Sequence, residues 1–442
     1  MYYKREIDAD LLLWSKEKHR KPLLLRGARQ VGKSSAVKEL AGKFEYFAEV
    51  NFERHKQLHA IFSGDIDPRN ICNDISLYLN VPVIPGKTLL FFDEIQSCPL
   101  AISSLRFFYE QYPELHVIAA GSLLEFALGD LPSFGVGRIR SIFMYPFSFD
   151  EFLWALGEKL LLNAVKGASP EQPLSDLVHS KLNSLLKRFM IIGGMPEVVS
   201  NYVESKDILS CQQVLDDLLT SLQADFSKYR VRVKPVLIQE VFSSVVRQCG
   251  SRFVYSRVMP EAGFRQIKEA LELLIMAGLV IPVAHTSANG LPLGAEVDSG
   301  KRKMLILDTG LFQRISGLNM SDLLISDDFS VINKGALAEL FAGLELLKSS
   351  SCYQQAKLYY WHRETRSSNA EVDYLIQNDD TILPIEIKSG KSGSMQSLHL
   401  FLKEKGLTLG IRSSMENFSR FDKIAVYPLY AIKIVNQLTK FI

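Results

Sequence analysis

At 442 residues the chain exceeds what a single hydrophobic core fills, so two or three domains are expected. Hydrophobic residues at 47% and charged residues at 23% exclude a disordered or fibrous polymer, and a net charge of +2 excludes a globally basic surface. Five dispersed cysteines without a C-x-x-C pair exclude a zinc cluster or a disulfide framework, and suit a reducing cytosol.

The first residues are charged throughout and lack the apolar core of a signal peptide, and the longest apolar run, residues 273–284, is too short to span a bilayer. A cytoplasmic protein with no membrane partner is expected. Residues 11–18 read as the end of an amphipathic helix. An apolar run at 21–25, a glycine loop and a helix over 34–40 open a βα unit. Further strands are expected at 47–51, 88–92 (TLLFF), 116–120 (HVIAA) and 139–145, with a helix over 105–112. Near-continuous apolar strands alternating with helices indicate an α/β parallel sheet covered on both faces, extending to about residue 157.

Residues 173–228 turn helical, interrupted by Gly193-Gly194-Met195-Pro196, a sharp turn between helices. Helices continue over 236–284 and lead into a turn-rich segment at 287–292, which suggests a winged helix. The expected divisions are a helical lid over 158–230, a winged-helix-like domain over 231–327 and a last α/β domain over 328–442. That last domain should begin with a helix at 335–348 and continue with strands at 357–362, 371–377, 382–388 and 423–427.

Gly27-Ala28-Arg29-Gln30-Val31-Gly32-Lys33-Ser34, followed by Ser35, fits G-x-x-x-x-G-K-[ST] in full. Glycines permit the positive φ values that turn backbone N–H groups toward phosphate oxygens, and the following helix adds its free N–H groups. Lys33 is expected to reach the β- and γ-phosphates of ATP and Ser34 to ligate Mg²⁺. Asp93 and Glu94 end the TLLFF strand, where ligands of open α/β sheets bind. Asp93 is expected to hold Mg²⁺ and Glu94 to activate the attacking water. Ser122 follows the next strand, either as a γ-phosphate contact or as a helix N-cap.

These residues, with Ala120-Gly121-Ser122-Leu123-Leu124, Gly137-Arg138 and Tyr145-Pro146-Phe147-Ser148-Phe149-Asp150-Glu151-Phe152, resemble a bacterial and archaeal AAA+ ATPase family. The resemblance implies that Ser122 senses the γ-phosphate. It also implies that Arg138 or Arg140 acts on a neighbouring subunit's nucleotide, which calls for a homo-oligomer bridged by nucleotide.

Residues 225–269 carry nine Lys/Arg against four Asp/Glu, a net of +5, with Tyr229, Phe253, Tyr255 and Phe264 interleaved. Such a segment suits contact with DNA or RNA phosphate as well as it suits a solvated face. Near the C-terminus Asp373 precedes a turn at Asp379-Asp380 and then Glu386-x-Lys388, in which Glu386 and Lys388 share a strand face. With Glu339 on the preceding helix, the set resembles the PD-(D/E)xK nuclease superfamily, although Glu371-Val372 stands where Pro-Asp is usual. The resemblance implies a restriction-endonuclease-like fold and a second metal site of Glu339, Asp373, Glu386 and Lys388. The reading is an ATP-hydrolysing protein driving a nucleic-acid-directed, nuclease-like module. Its alternative is a nucleotide-dependent switch with a silent C-terminal domain and a protein partner.

Overall fold

The computed structural model describes residues 1–64, 66–130, 137–229, 233–318, 335–363, 369–378, 380–390, 394–436 and 438. The chain divides into two compact units. Unit 1 comprises residues 1–146 with 276–278 and 352–355, and unit 2 the remainder. The first segment of unit 1 ends at Pro146, inside the YPFSFDEF motif.

In unit 1, α1 (Ile7–Ser15) precedes β1 (Leu23–Arg26), α2 (Lys33–Ala41), β2 (Tyr46–Asn51), α3 (Pro68–Leu79), β3 (Thr88–Asp93), α4 (Pro99–Gln111), β4 (His116–Ala120), α5 (Leu124–Asp130) and β5 (Arg140–Phe143). The five strands are all parallel, in the order β2-β3-β4-β1-β5. Every residue of β3 and β4 is buried, which is why these strands read as unbroken apolar runs rather than alternating ones. α3 starts where the Asp67 side chain accepts from the Arg69 N–H with Pro68 at the first helical position, and it stops at Asn80 in the left-handed region. The edge strand β5 is extended by residue 352 of unit 1, the Phe143 N–H donating to the Cys352 carbonyl at 2.8 Å.

Unit 2 begins with helices: α6 (Phe149–Ala155), α7 (Lys159–Gly167), α8 (Asp176–Ile192), α9 (Pro196–Ser205), α10 (Ile208–Asp225), α11 (Pro235–Arg247) and α12 (Phe264–Met276). Ser148 and Glu151 form a reciprocal capping box at the start of α6. The glycine turn between α8 and α9 is tied from the side. Asp308, fully buried, accepts from the Gly194 N–H at 2.6 Å, from Gly310 at 2.9 Å and from Leu311 at 3.1 Å.

The chain continues through β6 (Val280–Thr286), β7 (Val297–Ile306), α13 (Thr309–Ser316), α14 (Ala336–Lys348), β8 (Leu358–His362), β9 (Glu371–Asn378), β10 (Thr381–Ile387), α15 (Gln396–Lys405), β11 (Gly410–Ser414), β12 (Ser419–Phe421), β13 (Ile424–Pro428) and α16 (Ile432–Val435). Its strands form one eight-stranded mixed sheet, β12-β13-β11-β10-β9-β8-β6-β7. The β6–β7 hairpin does not stand apart from the later strands. β6 pairs in parallel with β8, so the hairpin completes the edge of the C-terminal sheet. The division expected at 327/328 lies outside the described residues, and the sheet is shared by sequence on both sides of it.

Candidate functional site: a phosphate loop and a lysine-filled carboxylate cluster

The glycine-rich loop leaves β1 at Arg26. Gly27 has φ +141°, and a Cβ there would stand 2.2 Å from the Met144 carbonyl oxygen, so only glycine fits. Gln30 at φ +64° and Gly32 at φ +95° complete the reversal that aims backbone N–H groups inward. α2 then starts at Lys33, so Ser34 and the exposed Ser35 lie in its first turn. The Lys33 Nζ donates to the carbonyls of Gly27 at 2.9 Å and Ala28 at 2.7 Å. Burial pulls the Lys33 pKa down to about 8, against Glu94 and Asp93, which raise it.

The Ser34 hydroxyl donates to Asp93 Oδ1 at 3.1 Å, and the Asn51 side-chain amide holds the other carboxylate oxygen at 3.2 Å. Burial, then the neighbouring Glu94 charge, raise the Asp93 pKa, while the Ser34 and Asn51 hydrogen bonds oppose the rise. Glu94 occupies the left-handed region at φ +49°, a conformation that costs a non-glycine residue about 1 kcal/mol and that aims its side chain. Its Oε2 accepts from Gln96 Nε2 at 2.6 Å and from the Ser122 hydroxyl at 3.5 Å. Lys33, Ser34, Asp93, Glu94 and Ser122 thus share the carboxyl ends of β1, β3 and β4.

The serine and carboxylate oxygens are hard donors suited to Mg²⁺, and the loop with its lysine suits a polyphosphate; the residues fit both groups. Arg29 is half-buried and acts on Lys33 by its charge. The two candidate fingers are engaged within the chain. Arg138 pairs with Glu110, and Arg140 pairs with Glu17 at 2.5 Å with its guanidinium 5.7 Å from the Tyr353 ring.

Residues 19–153 match a family described as an AAA domain. They form an AAA-type nucleotide-binding ATPase domain. Residues 183–322 and 334–432 match two domains of unknown function, DUF8612 and DUF4143. Among solved structures the chain is similar to the Walker-type ATPase PABY2304 of Pyrococcus abyssi, at 17% identity and TM-score 0.46, over 71% of this chain and 96% of that one. It is also similar to PCH-2 of C. elegans (16% identity, TM-score 0.27, 47% of this chain and 66% of that one). A third similarity is to unliganded Pif1 from Bacteroides sp (15% identity, TM-score 0.22, 38% of this chain and 50% of that one). No curated protein matches the chain.

Three residues around the AAA-type site have roles that the motifs do not assign. Asn51 ends β2 in register with Asp93, Gln96 orients Glu94, and Gly121 leaves room for Gln96. Gly121 lies within the 120–124 motif and Asn51 ends a strand, whereas Gln96 offered no signal in the sequence.

The C-terminal residues come together differently from the expected metal set. Among the described residues no group of three or more His, Cys, Asp or Glu is placed to hold a metal ion. Lys303 of β7, whose side chain is 0% exposed, puts its Nζ 2.8 Å from Glu339 Oε1, 2.5 Å from Glu371 Oε1 and 3.7 Å from Asp373 Oδ1. Burial opposes the charge on Lys303, but Glu339, Asp373 and Glu371 outweigh it and hold its pKa well above the usual lysine value. Burial raises the Glu339 pKa, against Lys303, and raises that of Glu386, to which the charge of Asp373 adds. Asp373 Oδ2 accepts from the Ile387 N–H at 2.8 Å, and Lys388 Nζ turns to Glu386 Oε1 at 2.8 Å. Of the turn at Asp379-Asp380, Asp379 lies outside the described residues, as do Arg230 and Arg232 of the basic segment. Among the described residues no helix is long and apolar enough to cross a membrane.

Proposed function

We propose that unit 1 hydrolyses ATP with Mg²⁺, that Glu94 is the general base, and that the cycle works on a partner through unit 2. The observation carrying this reading is the hydrogen-bonded chain from Ser34 through Asp93 to Asn51, set beside Glu94 at the mouth of the loop. Ser34 and Asp93 are the residues to hold Mg²⁺, which when bound neutralises charge on the β- and γ-phosphate oxygens. Lys33 leaves the loop carbonyls to donate to the same oxygens, exchanging neutral acceptors for anionic ones. Glu94 takes the proton of the attacking water as the water oxygen bonds to the γ-phosphorus and the bond to the β,γ-bridging oxygen breaks, giving ADP and inorganic phosphate, and Ser122 orients that water or the phosphoryl oxygens. Arg138 and Arg140 are candidates to stabilise the phosphoryl charge of a neighbouring copy. Arg138 is the easier to free, because its side chain is 49% exposed and such surface pairs contribute little.

Phosphate release tests the reading. Lys33→Ala should abolish it, and Glu94→Gln should bind ATP normally while turning over on the order of 10²–10³-fold more slowly. Unchanged turnover in both variants would sink the assignment.

A second reading, in which the partner is DNA or RNA, draws on one observation. Phe264 is 62% exposed at the start of α12, with Arg257, Arg265 and Lys268 also exposed. An aromatic ring among cations suits stacking on unpaired bases. Binding of single-stranded DNA that weakens steeply with salt and is lost in Phe264→Ala/Arg265→Ala supports it; equal retention in that variant refutes it.

A further inference from the structure

The carboxylates of unit 2 present a choice between two cations. Their chemistry would suit Mg²⁺ or Mn²⁺, since hard oxygens from a helix and a strand face one nitrogen there, although as placed they do not form a metal-holding group. The position is taken instead by an ammonium group. Lys303 reaches in from β7 with no exposed side-chain surface, and directs its Nζ at Glu339, Glu371 and Asp373. The same nitrogen lies 5.3 Å from the Tyr360 ring centroid, which closes a further side. An ammonium has three N–H donors and no acceptor; Glu339 and Glu371 lie within hydrogen-bond distance, and Asp373 at 3.7 Å adds its charge as an ion pair.

Most of the remaining polar atoms of the cluster are also committed, the exception being Glu386 Oε2, which is buried without a hydrogen-bond partner among the described residues. Asp373 spends its second oxygen on the Ile387 N–H, and Glu386 and Lys388 pair with each other. A divalent ion needs several oxygens within 2.0–2.6 Å of one point. Bringing them there requires Lys303 to leave, which would bury repelling carboxylates beside a displaced lysine stem.

We propose that Lys303 is a built-in replacement for a divalent cation, so that the carboxylate cluster of unit 2 is permanently metal-free and does not cut phosphodiesters by metal-activated water. Removing the Lys303 charge then turns the cluster into a divalent-cation site. The inference is independent of the ATPase reading: it shares no residue with the phosphate loop, and the Lys33 and Glu94 variants do not bear on it.

The test uses the full chain without nucleotide, in EDTA and in millimolar Mn²⁺. Wild type and Asp373→Asn should show the same response to Mn²⁺, because any binding at Asp93 and Ser34 is common to both and cancels. Lys303→Met should melt lower in EDTA by on the order of 5–10 °C and recover at least half of that loss in Mn²⁺. The recovery should vanish in Lys303→Met/Asp373→Asn. A wild-type stabilisation by Mn²⁺ that Asp373→Asn abolishes overturns the proposal, and so does a folded Lys303→Met variant indifferent to Mn²⁺. Should Lys303→Met not fold, Mn²⁺ calorimetry on wild type and Asp373→Asn decides. Identical heats support the built-in cation, and a saturable heat present only in wild type refutes it.

Discussion

Substituting Gly121 by alanine tests how the general base is held. Gly121 sits just past β4 and needs no left-handed backbone, so alanine is conformationally acceptable. The obstacle is one atom. The new Cβ would lie 2.0 Å from Gln96 Oε1, and ordinary contact begins at 3.4 Å, so the amide must retreat by about 1.4 Å. Gln96 Oε1 has no hydrogen-bond partner among the described residues, so the retreat breaks nothing at that end. At the other end, Gln96 Nε2 holds Glu94 Oε2 at 2.6 Å, and this bond must lengthen or turn. A misplacement of about 1 Å in a positioning group costs on the order of 10²-fold in rate. Gly121→Ala should therefore lower kcat for ATP hydrolysis by roughly that factor, with ATP affinity within about twofold of wild type and melting shifted by only a few degrees. Steady-state phosphate release and titration with a fluorescent ATP analogue separate these quantities. In a Gln96→Ala background the glycine substitution should add nothing further, because both changes remove the same restraint. A kcat within twofold of wild type for Gly121→Ala would refute the positioning argument.

The Lys33 pKa of about 8 sets a pH dependence for binding. Phosphate favours the protonated lysine, so ATP affinity should be level below about pH 8. Above it affinity should fall about tenfold per pH unit, until the pH reaches the raised pKa of the complex. Affinity that is flat between about pH 7.5 and 9.5 removes Lys33 as the titrating contact. Asn51→Ala frees one oxygen of Asp93 and should raise the Mg²⁺ concentration needed for half-maximal turnover by about 2–10-fold, the equivalent of one lost hydrogen bond; a Mg²⁺ titration identical to wild type would contradict this. Asp308→Ala leaves the Gly194, Gly310 and Leu311 N–H groups without their acceptor and should cost unit 2 about 2–3 kcal/mol in denaturant unfolding. A loss below about 0.5 kcal/mol would show that the turn does not depend on it.

The parts legible in the sequence were those whose signal is local. β3 and β4 are apolar along their whole length because both faces are covered, and the loop between β1 and α2 is fixed by glycines that no other residue replaces. Asn51 was legible only as the end of a strand, because its role depends on a parallel register with Asp93 that is set by sheet assembly. The β6–β7 hairpin resembled a wing because a hairpin's own pattern does not say which strand will lie beside it, and here that strand is β8. Lys303 was hidden more completely. It stands in the run Lys301-Arg302-Lys303, which reads as a solvated basic edge, yet its side chain turns inward to carboxylates contributed by α14 and β9. Glu339 and Asp373 are legible as candidate ligands in the sequence, and neither Glu371 as their companion nor Lys303 at their centre is.

The bond from the Phe143 N–H to the Cys352 carbonyl has a practical consequence. β5 is the outermost strand of its sheet on that side, and an outer strand with idle N–H groups invites pairing with another chain. A fragment ending near residue 146 would hold the phosphate loop and both acidic residues, but it would lack the distant stretch that covers this flank. Such a fragment should be prone to edge-to-edge association, and self-association measured on it would report the missing cover rather than a native ring.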